Sequence, residues 1–279
     1  MAASMALLLH PVARIALSDF TVHPSTVIGL VGLGALYHWR ATSDGAAARE
    51  TPTTSQRVLF YGALVIIFFS LNGWLHDLSD NYLFSAHMVQ HLVLTLVAPP
   101  LLIMGTPGWM LRPALNWRGV GPVARAITRP AMCFAIFNLV LIVWHLPPMY
   151  EMAMEHHNIH IVQHLFFMVS ATLMWWPILS PLPELPRLSY PLQMLYLFLM
   201  SIPMSLVAVC IGYSDHILYP AYAIAPRIWG ITPMQDQLMG ALIMWVPGGF
   251  FFFAVISVVF FRWQASGAPD GQGGAQVAV

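Results

Sequence analysis

Two pairs of histidines at helical spacing are the residues of this chain best suited to chemistry. The sequence reads HMVQHL at residues 87–92 and HIVQHL at residues 160–165, so the pattern H-x-V-Q-H-L occurs twice. Residues four apart lie one turn apart on the same face of an α-helix. Neutral imidazole binds copper, zinc, iron and nickel. The spacing favours a metal site built from His87, His91, His160 and His164, although a single buried histidine can also bond a neighbouring backbone carbonyl.

The segments that carry these histidines are too apolar for a soluble core. The chain is 58% apolar and 8% charged, with a mean hydropathy of +0.71. Apolar runs of about twenty residues are typical of transmembrane helices, and the sequence predicts seven: 24–39, 57–75, 82–105, 129–148, 157–180, 189–211 and 237–261. We expect an all-α integral membrane protein. Its parts are an external N-terminal arm at 1–23, a seven-transmembrane-helix bundle at 24–262 and a disordered cytoplasmic tail at 263–279.

The basic residues predict the orientation of this bundle. All eleven basic residues are arginines, and on the seven-span prediction only Arg14 and Arg227 fall on the sparsely charged side. Arginine-rich loops stay in the cytoplasm, so the N-terminus is expected outside and the C-terminus inside. The third and fifth spans then run in the same direction, which places both histidine pairs at similar depth in the outer leaflet. His145, at the outer end of the fourth span, is placed to join them.

A methionine-rich stretch precedes the fifth span. The segment MYEMAMEHH places Met149, Met152 and Met154 beside His156 and His157. Thioethers are soft ligands that favour Cu(I), and we expect this segment to form an external loop in which copper first binds. Packing is the competing interpretation, because methionine also fills irregular gaps in apolar cores.

Three further polar residues lie close to the predicted site. His76 and Asp77 follow the second span, and Asp236 lies just before the seventh in MQDQLMG. A carboxylate there can orient a ligating imidazole through its second ring nitrogen. It can equally cap a helix N-terminus, and the sequence leaves both roles open.

Three ordered segments carry a family resemblance. They are HMVQHLVLTLVAPPLLIMGTP, HIVQHLFFMVSATLMWWPIL and DQLMGALIMWVPGG. In these segments the chain resembles the multi-span CtaG family of cytochrome c oxidase assembly factors. The resemblance implies a protein of the bacterial inner membrane that matures a haem-copper oxidase by handling copper, without enzymatic chemistry. It identifies as motif positions His87, His91, His160, His164 and Asp236, and extends to His145.

The expected partners are oxidase subunits, a periplasmic copper donor and membrane lipid. The formal net charge is zero and no basic patch stands out, so nucleic acid is not an expected partner. Two alternatives remain open from the sequence. One is a redox protein with bis-histidine haem b, although two histidines at i and i+4 on one helix cannot bind one haem from opposite faces. The other is a copper transporter, which would need ligands along the inner half, where only His38 and Cys133 are candidates.

Overall fold

The computed structural model describes residues 20–43 and 51–267, and these residues form helices and connecting turns without a β-strand. Most of the predicted N-terminal arm and of the predicted tail lies outside the described residues. The helices are α1 (Pro24–Thr42), α2 (Thr54–Leu71), α3 (Trp74–Asn81), α4 (Phe84–Leu92), α5 (Ala98–Gly105), α6 (Gly108–Leu115), α7 (Val120–Ile127), α8 (Pro130–His145), α9 (Pro147–Glu155), α10 (His157–Leu179), α11 (Tyr190–Gly212), α12 (Pro220–Ile224) and α13 (Pro233–Ser266).

Each of the seven predicted segments coincides with a helix or a run of helices. Five are long and apolar enough to cross a membrane: α2, the run Phe84–Gly105, α10, α11 and α13. Helices α7 and α8 make a sixth candidate if the pair, bent by 76°, counts as one span. The chain is therefore an all-helical membrane protein with five or six candidate spans. The first predicted span, which would be α1, and the orientation remain predictions.

Local sequence signals set the ends of the longer helices. Thr53 and Gln56 form a capping box at the start of α2, and Thr232 and Gln235 form another at the start of α13. In each box two backbone N–H groups that lack a helical partner are satisfied by side chains. The second predicted segment ends earlier than expected, at Leu71, because Gly73 adopts a left-handed conformation with φ of 69° and turns the chain into α3. His76 therefore lies on a separate short helix.

The third span changes its helical repeat just after the second histidine. Residues Val93–Val97 form a π-helical turn between α4 and α5. Pro99 has no N–H to donate to the carbonyl of Thr95, four residues earlier. The indole N–H of Trp175 on α10 donates to that carbonyl instead, at 2.9 Å. A backbone group that proline leaves open is thus satisfied by a neighbouring helix, which also ties α10 to this span.

The largest cluster of buried side chains joins α4, α11 and α13. Phe84 and Met88 of α4 pack with Met200 and Met204 of α11 and with Met244 of α13 in one cluster of buried side chains. The two α11 methionines therefore serve packing. This core fixes α4, and with it the first histidine pair, against its neighbours.

Candidate metal centre

Helices α4 and α10 bring the two histidine pairs into one cluster. The ring centroids of His87 and His91 are 4.2 Å apart, and those of His160 and His164 are 4.5 Å apart. Across the two helices, His87 lies 5.5 Å from His160 and His91 lies 5.5 Å from His164. All four side chains are buried. Spacing along each helix places the rings on one face, and helix packing makes the faces meet.

The start of α4 is held by Asp236 of α13. One carboxylate oxygen accepts hydrogen bonds from the Phe84 N–H at 2.6 Å, and the other accepts from the Ser85 N–H at 3.0 Å and the Ser85 hydroxyl at 2.5 Å. Asp236 is fully buried. Of the two roles left open by the sequence, the structure shows the helix cap, on a neighbouring helix rather than on α13 itself. The carboxylate also complements the partial positive charge at the α4 N-terminus.

His145 joins the cluster from the end of α8. Its ring centroid lies 6.2 Å from that of His91. Its Nδ1 lies 2.7 Å from the carbonyl oxygen of Leu141. Because a carbonyl only accepts, Nδ1 carries the proton, and Nε2 is left with a lone pair. A backbone hydrogen bond that fixes the tautomer in this way is typical of metal-ligating histidines.

The cluster contains buried imidazole nitrogens that have no hydrogen-bond partner among the described residues. Both ring nitrogens lack one in His87, His91 and His164, and Nε2 lacks one in His145 and His160. Buried polar groups in proteins are nearly always hydrogen-bonded. The set of donor atoms fits a transition metal, since neutral imidazole is a ligand for such ions.

A carboxylate that the sequence analysis missed completes the cluster. Ligand atoms of Asp80, His87 and His160 all lie within 4.8 Å of one another, an arrangement that could hold one metal ion. Asp80 Oδ2 lies 3.5 Å from His160 Nδ1 and 3.3 Å from His76 Nε2. The sequence does contain a signal that could have identified Asp80: it follows His76 by four residues and so shares its helical face.

The surroundings of Asp80 and His76 control their charge. Desolvation by burial raises the pKa of the Asp80 carboxyl to about 7, while the hydroxyl of Ser79 opposes that rise by donating to it. Desolvation lowers the pKa of His76 to about 3, and three neighbouring histidines add to the effect. His76 is therefore neutral at physiological pH, and a cation bound beside Asp80 would favour its carboxylate form.

His76 is held by a hydrogen-bond network centred on Gln90. The side-chain amide of Gln90 lies 3.0 Å from His76 Nδ1 and donates to the Ser70 carbonyl at 2.6 Å. The hydroxyl oxygen of Ser79 lies 3.1 Å from Gln90 Oε1. Gln90 is the glutamine of the first H-x-V-Q-H-L pattern, and the sequence analysis assigned it no role. Through these contacts Gln90 holds the His76 ring in place beside the cluster.

The remaining predicted residues lie outside the cluster. Asp77 accepts a hydrogen bond from the Thr21 hydroxyl, so Asp80 rather than Asp77 is the carboxylate paired with His76. His156 is exposed, and its Nδ1 lies 3.2 Å from the Met152 carbonyl. His157 is exposed, and its ring stacks against that of His23 at 5.5 Å.

The methionine-rich segment differs from its prediction. Residues Pro147–Glu155 form helix α9 rather than a loop, because the prolines at its start suit the first turn of a helix. Met149 and Met154 pack against the apolar core. The Tyr222 hydroxyl also lies 3.9 Å from Met154 Sδ. Met152 is half-buried. Packing therefore accounts for two of the three thioethers.

Comparison with known proteins finds two relatives that match the chain over only part of their length. The chain is 24% identical over 179 residues to the uncharacterized proteins Mb0105 of Mycobacterium bovis and MT0111 of Mycobacterium tuberculosis. The matched stretch covers 58% of this chain and 27% of each relative, so the chain corresponds to about a quarter of their length. No solved structure matches the chain.

A family model covers most of the membrane region. The model described as cytochrome c oxidase caa3 assembly factor (Caa3_CtaG) matches residues 32–266. That stretch contains α10, the run Phe84–Gly105 and the Asp236 cap, so it includes every residue of the buried cluster. The resemblance drawn from the three sequence segments is confirmed: the chain belongs to the Caa3_CtaG family of cytochrome c oxidase assembly factors.

Proposed function

We propose that this protein is a bacterial inner-membrane assembly factor that binds copper at the buried histidine cluster and passes it to a subunit of a haem-copper cytochrome c oxidase. The observation that carries the proposal is the set of unpartnered ring nitrogens on His87, His91 and His164. Leaving a buried polar group unsatisfied costs roughly 1–3 kcal/mol. Coordination to a metal ion would remove that cost for several nitrogens at once.

The choice of copper depends on the donor atoms and on the family. Imidazole also binds zinc, iron and nickel, but an assembly factor for a copper-containing oxidase has copper as its obvious cargo. Asp80 adds one oxygen donor at the edge of the cluster. The methionines do not strengthen the case for Cu(I), because Met149 and Met154 pack in the core. The proposal therefore depends on the imidazoles.

The protein's own residues have distinct parts in this function. His87, His91, His160 and His164 would hold the ion, and His145 would approach it through Nε2. Asp236 keeps α4 in register, and Gln90 keeps His76 in place. The role is binding and transfer, in which coordination bonds are exchanged and no covalent bond of a substrate is made or broken.

The direct test is metal content and the absorption spectrum of the purified full-length protein. After loading with copper, the parent is expected to hold copper near stoichiometric amounts, with no Soret band. A variant with His87, His91, His160 and His164 changed to alanine is expected to hold none. The matched control changes three exposed histidines, His38, His156 and His216, to alanine and should retain the metal.

A loaded parent that holds no copper would overturn the proposal, and so would either of two further outcomes. A Soret band in the parent would identify a haem protein of the bis-histidine type. Equal copper content in the parent and the four-alanine variant would show that the cluster does not bind the metal. Circular dichroism of each variant checks that the helices are intact.

A further inference from the structure

A cavity connects the surface of the protein to one wall of the buried cluster. It has a volume of about 450 Å³ and lies between α1, α2 and α10. Its lining includes the buried His160 and His164 and the more exposed His23 and His157, and we call the more exposed side, at His23 and His157, its mouth. The cavity therefore borders two of the candidate ligands.

Two imidazoles flank the mouth of this cavity. His23 immediately precedes α1 and is half-buried, and His157 is the first residue of α10 and is exposed. Their rings stack with centroids 5.5 Å apart and planes 29° apart. The backbone N–H of His23 donates to Asn72 Oδ1 at 2.7 Å, which fixes the residue at the mouth. Two neutral imidazoles at this separation offer nitrogen donors for a copper ion.

His157 begins a row of histidines along one face of α10. His157, His160 and His164 are spaced i, i+3 and i+7, so they share a helical face and span about 10 Å along the axis. The first ring is exposed, and the other two are buried with unpartnered nitrogens. The row therefore leads from the cavity mouth into the cluster.

His76 is beside this row but is not available to bind. Its ring lies edge-on to that of His23, with centroids 4.5 Å apart. Its Nδ1 faces Gln90 and its Nε2 faces Asp80. Since both nitrogens are engaged, an ion that enters at the mouth has the Nε2 of His160 as the next free donor in the row.

We propose that His23 and His157 form a capture site for the copper ion and that the ion enters the cluster along the His157–His160–His164 row; this inference rests on the proposed function. At each step one coordinating nitrogen is replaced by the next. The copper ion keeps its oxidation state, so no oxidant or reductant is needed.

The inference predicts that loss of the capture site slows copper loading and leaves the final copper content unchanged. Full-length protein is mixed anaerobically with Cu(I) as its bicinchoninate complex, and transfer is followed by loss of that complex's absorbance. The double variant His23→Ala, His157→Ala is expected to load at least about tenfold more slowly and to reach the copper content of the parent. His156→Ala is the matched control, because His156 is the adjacent exposed histidine and is not part of the cavity lining.

A rescue variant distinguishes ligation from a structural role. His157→Met retains a soft donor for Cu(I) and is expected to load faster than His157→Ala. Equal rates for these two variants would overturn the inference.

The failures of the inference and of the proposed function are distinguishable. If the parent takes up no copper, both fail. If the parent loads and the four-alanine cluster variant does not, while the double mouth variant loads at the parental rate, only the capture site is overturned. A double mouth variant that loads less copper at equilibrium also overturns it, because the pair would then belong to the storage site.

Discussion

At the scale of single residues, the buried imidazoles are the feature that makes the histidine cluster a candidate metal site. His87 and His91 are buried and neither ring has a hydrogen-bond partner among the described residues. Lipid and packed side chains cannot replace the missing partners, and burial of such groups is unfavourable. The same physics makes them candidate ligands, since a neutral imidazole with an unused lone pair can bind a transition metal.

The carboxylate at the edge of the cluster gives a prediction for one residue. Asp80→Asn keeps the side-chain shape and removes its negative charge, so copper affinity is expected to fall roughly 10- to 100-fold while the helices remain intact. Affinity is measured by competition with a colorimetric copper chelator. Asp77→Asn is the control, because Asp77 is bonded to Thr21 and not to the cluster. Equal effects of the two substitutions would contradict a specific role for Asp80.

The buried cap on α4 gives a second prediction. Asp236→Asn replaces a charged acceptor of three hydrogen bonds by an amide, which is expected to lower the free energy of unfolding by about 2 kcal/mol and to weaken copper binding. Thermal unfolding in detergent, followed by circular dichroism, measures the change. Asp215→Asn, at an exposed position in the loop before α12, should leave the transition where it is. A parental melting curve for Asp236→Asn would refute the structural importance of this cap.

At the scale of helices, close approach between α4 and α13 positions the first histidine pair. Gly240 of α13 faces the ring of Phe84, and a Cβ at that position would overlap the ring well inside van der Waals contact. Phe84 is itself almost fully buried and cannot swing away. The absence of a side chain at residue 240 therefore determines how closely α4 packs.

This contact predicts different effects for two glycines of one helix. Gly240→Ala is expected to destabilise the protein by about 1–3 kcal/mol through overpacking and to reduce copper affinity by displacing His87. Gly249→Ala meets nothing within 4 Å and should be neutral or slightly stabilising, since alanine favours a helix more than glycine does. Thermal unfolding of both variants provides the comparison. Similar destabilisation by both would show that helix propensity, not packing, is responsible.

At the scale of the whole molecule, the predicted orientation places the proposed capture site on the outer side of the membrane. The cavity mouth at His23 and His157 lies at the ends of α1 and α10 that the arginine distribution places outside. A capture site there suits a donor in the extracytoplasmic space. The cluster would then receive copper on the side where an oxidase subunit can take it up.

Cysteine labelling tests this orientation. In a background with Cys133 and Cys210 changed to alanine, a membrane-impermeant maleimide added to intact cells is expected to label His216→Cys and not Arg118→Cys. Both positions are exposed, so access depends on the side of the membrane. Permeabilised cells provide the control, in which both cysteines should react. Labelling of only Arg118→Cys in intact cells would reverse the orientation.

Particular residues show which features of the structure can be predicted from local sequence patterns. Hydropathy runs located the helices because burial in lipid demands continuous apolar stretches, and the i, i+4 spacing of His87 and His91 showed that they share a face. Local patterns were less informative about which polar side chains join the cluster. Asp77 was considered because it adjoins His76, and Asp80 was not considered, although helical geometry places Asp80, four residues after His76, on the same face. The methionines of α9 were assigned to a loop because the packing of α9 on the core is not visible in its own sequence.

The sequence by itself determined that this is a helical membrane protein of the Caa3_CtaG family with two paired histidine motifs, because hydropathy, spacing and motif order are properties of the chain alone. Only the tertiary structure decided that α4 and α10 are neighbours, that Asp80 joins the cluster and that Asp236 caps α4. Those facts depend on which helix faces meet, and that follows from close packing of the whole bundle, including the contact of Gly240 with Phe84, rather than from any local run of residues.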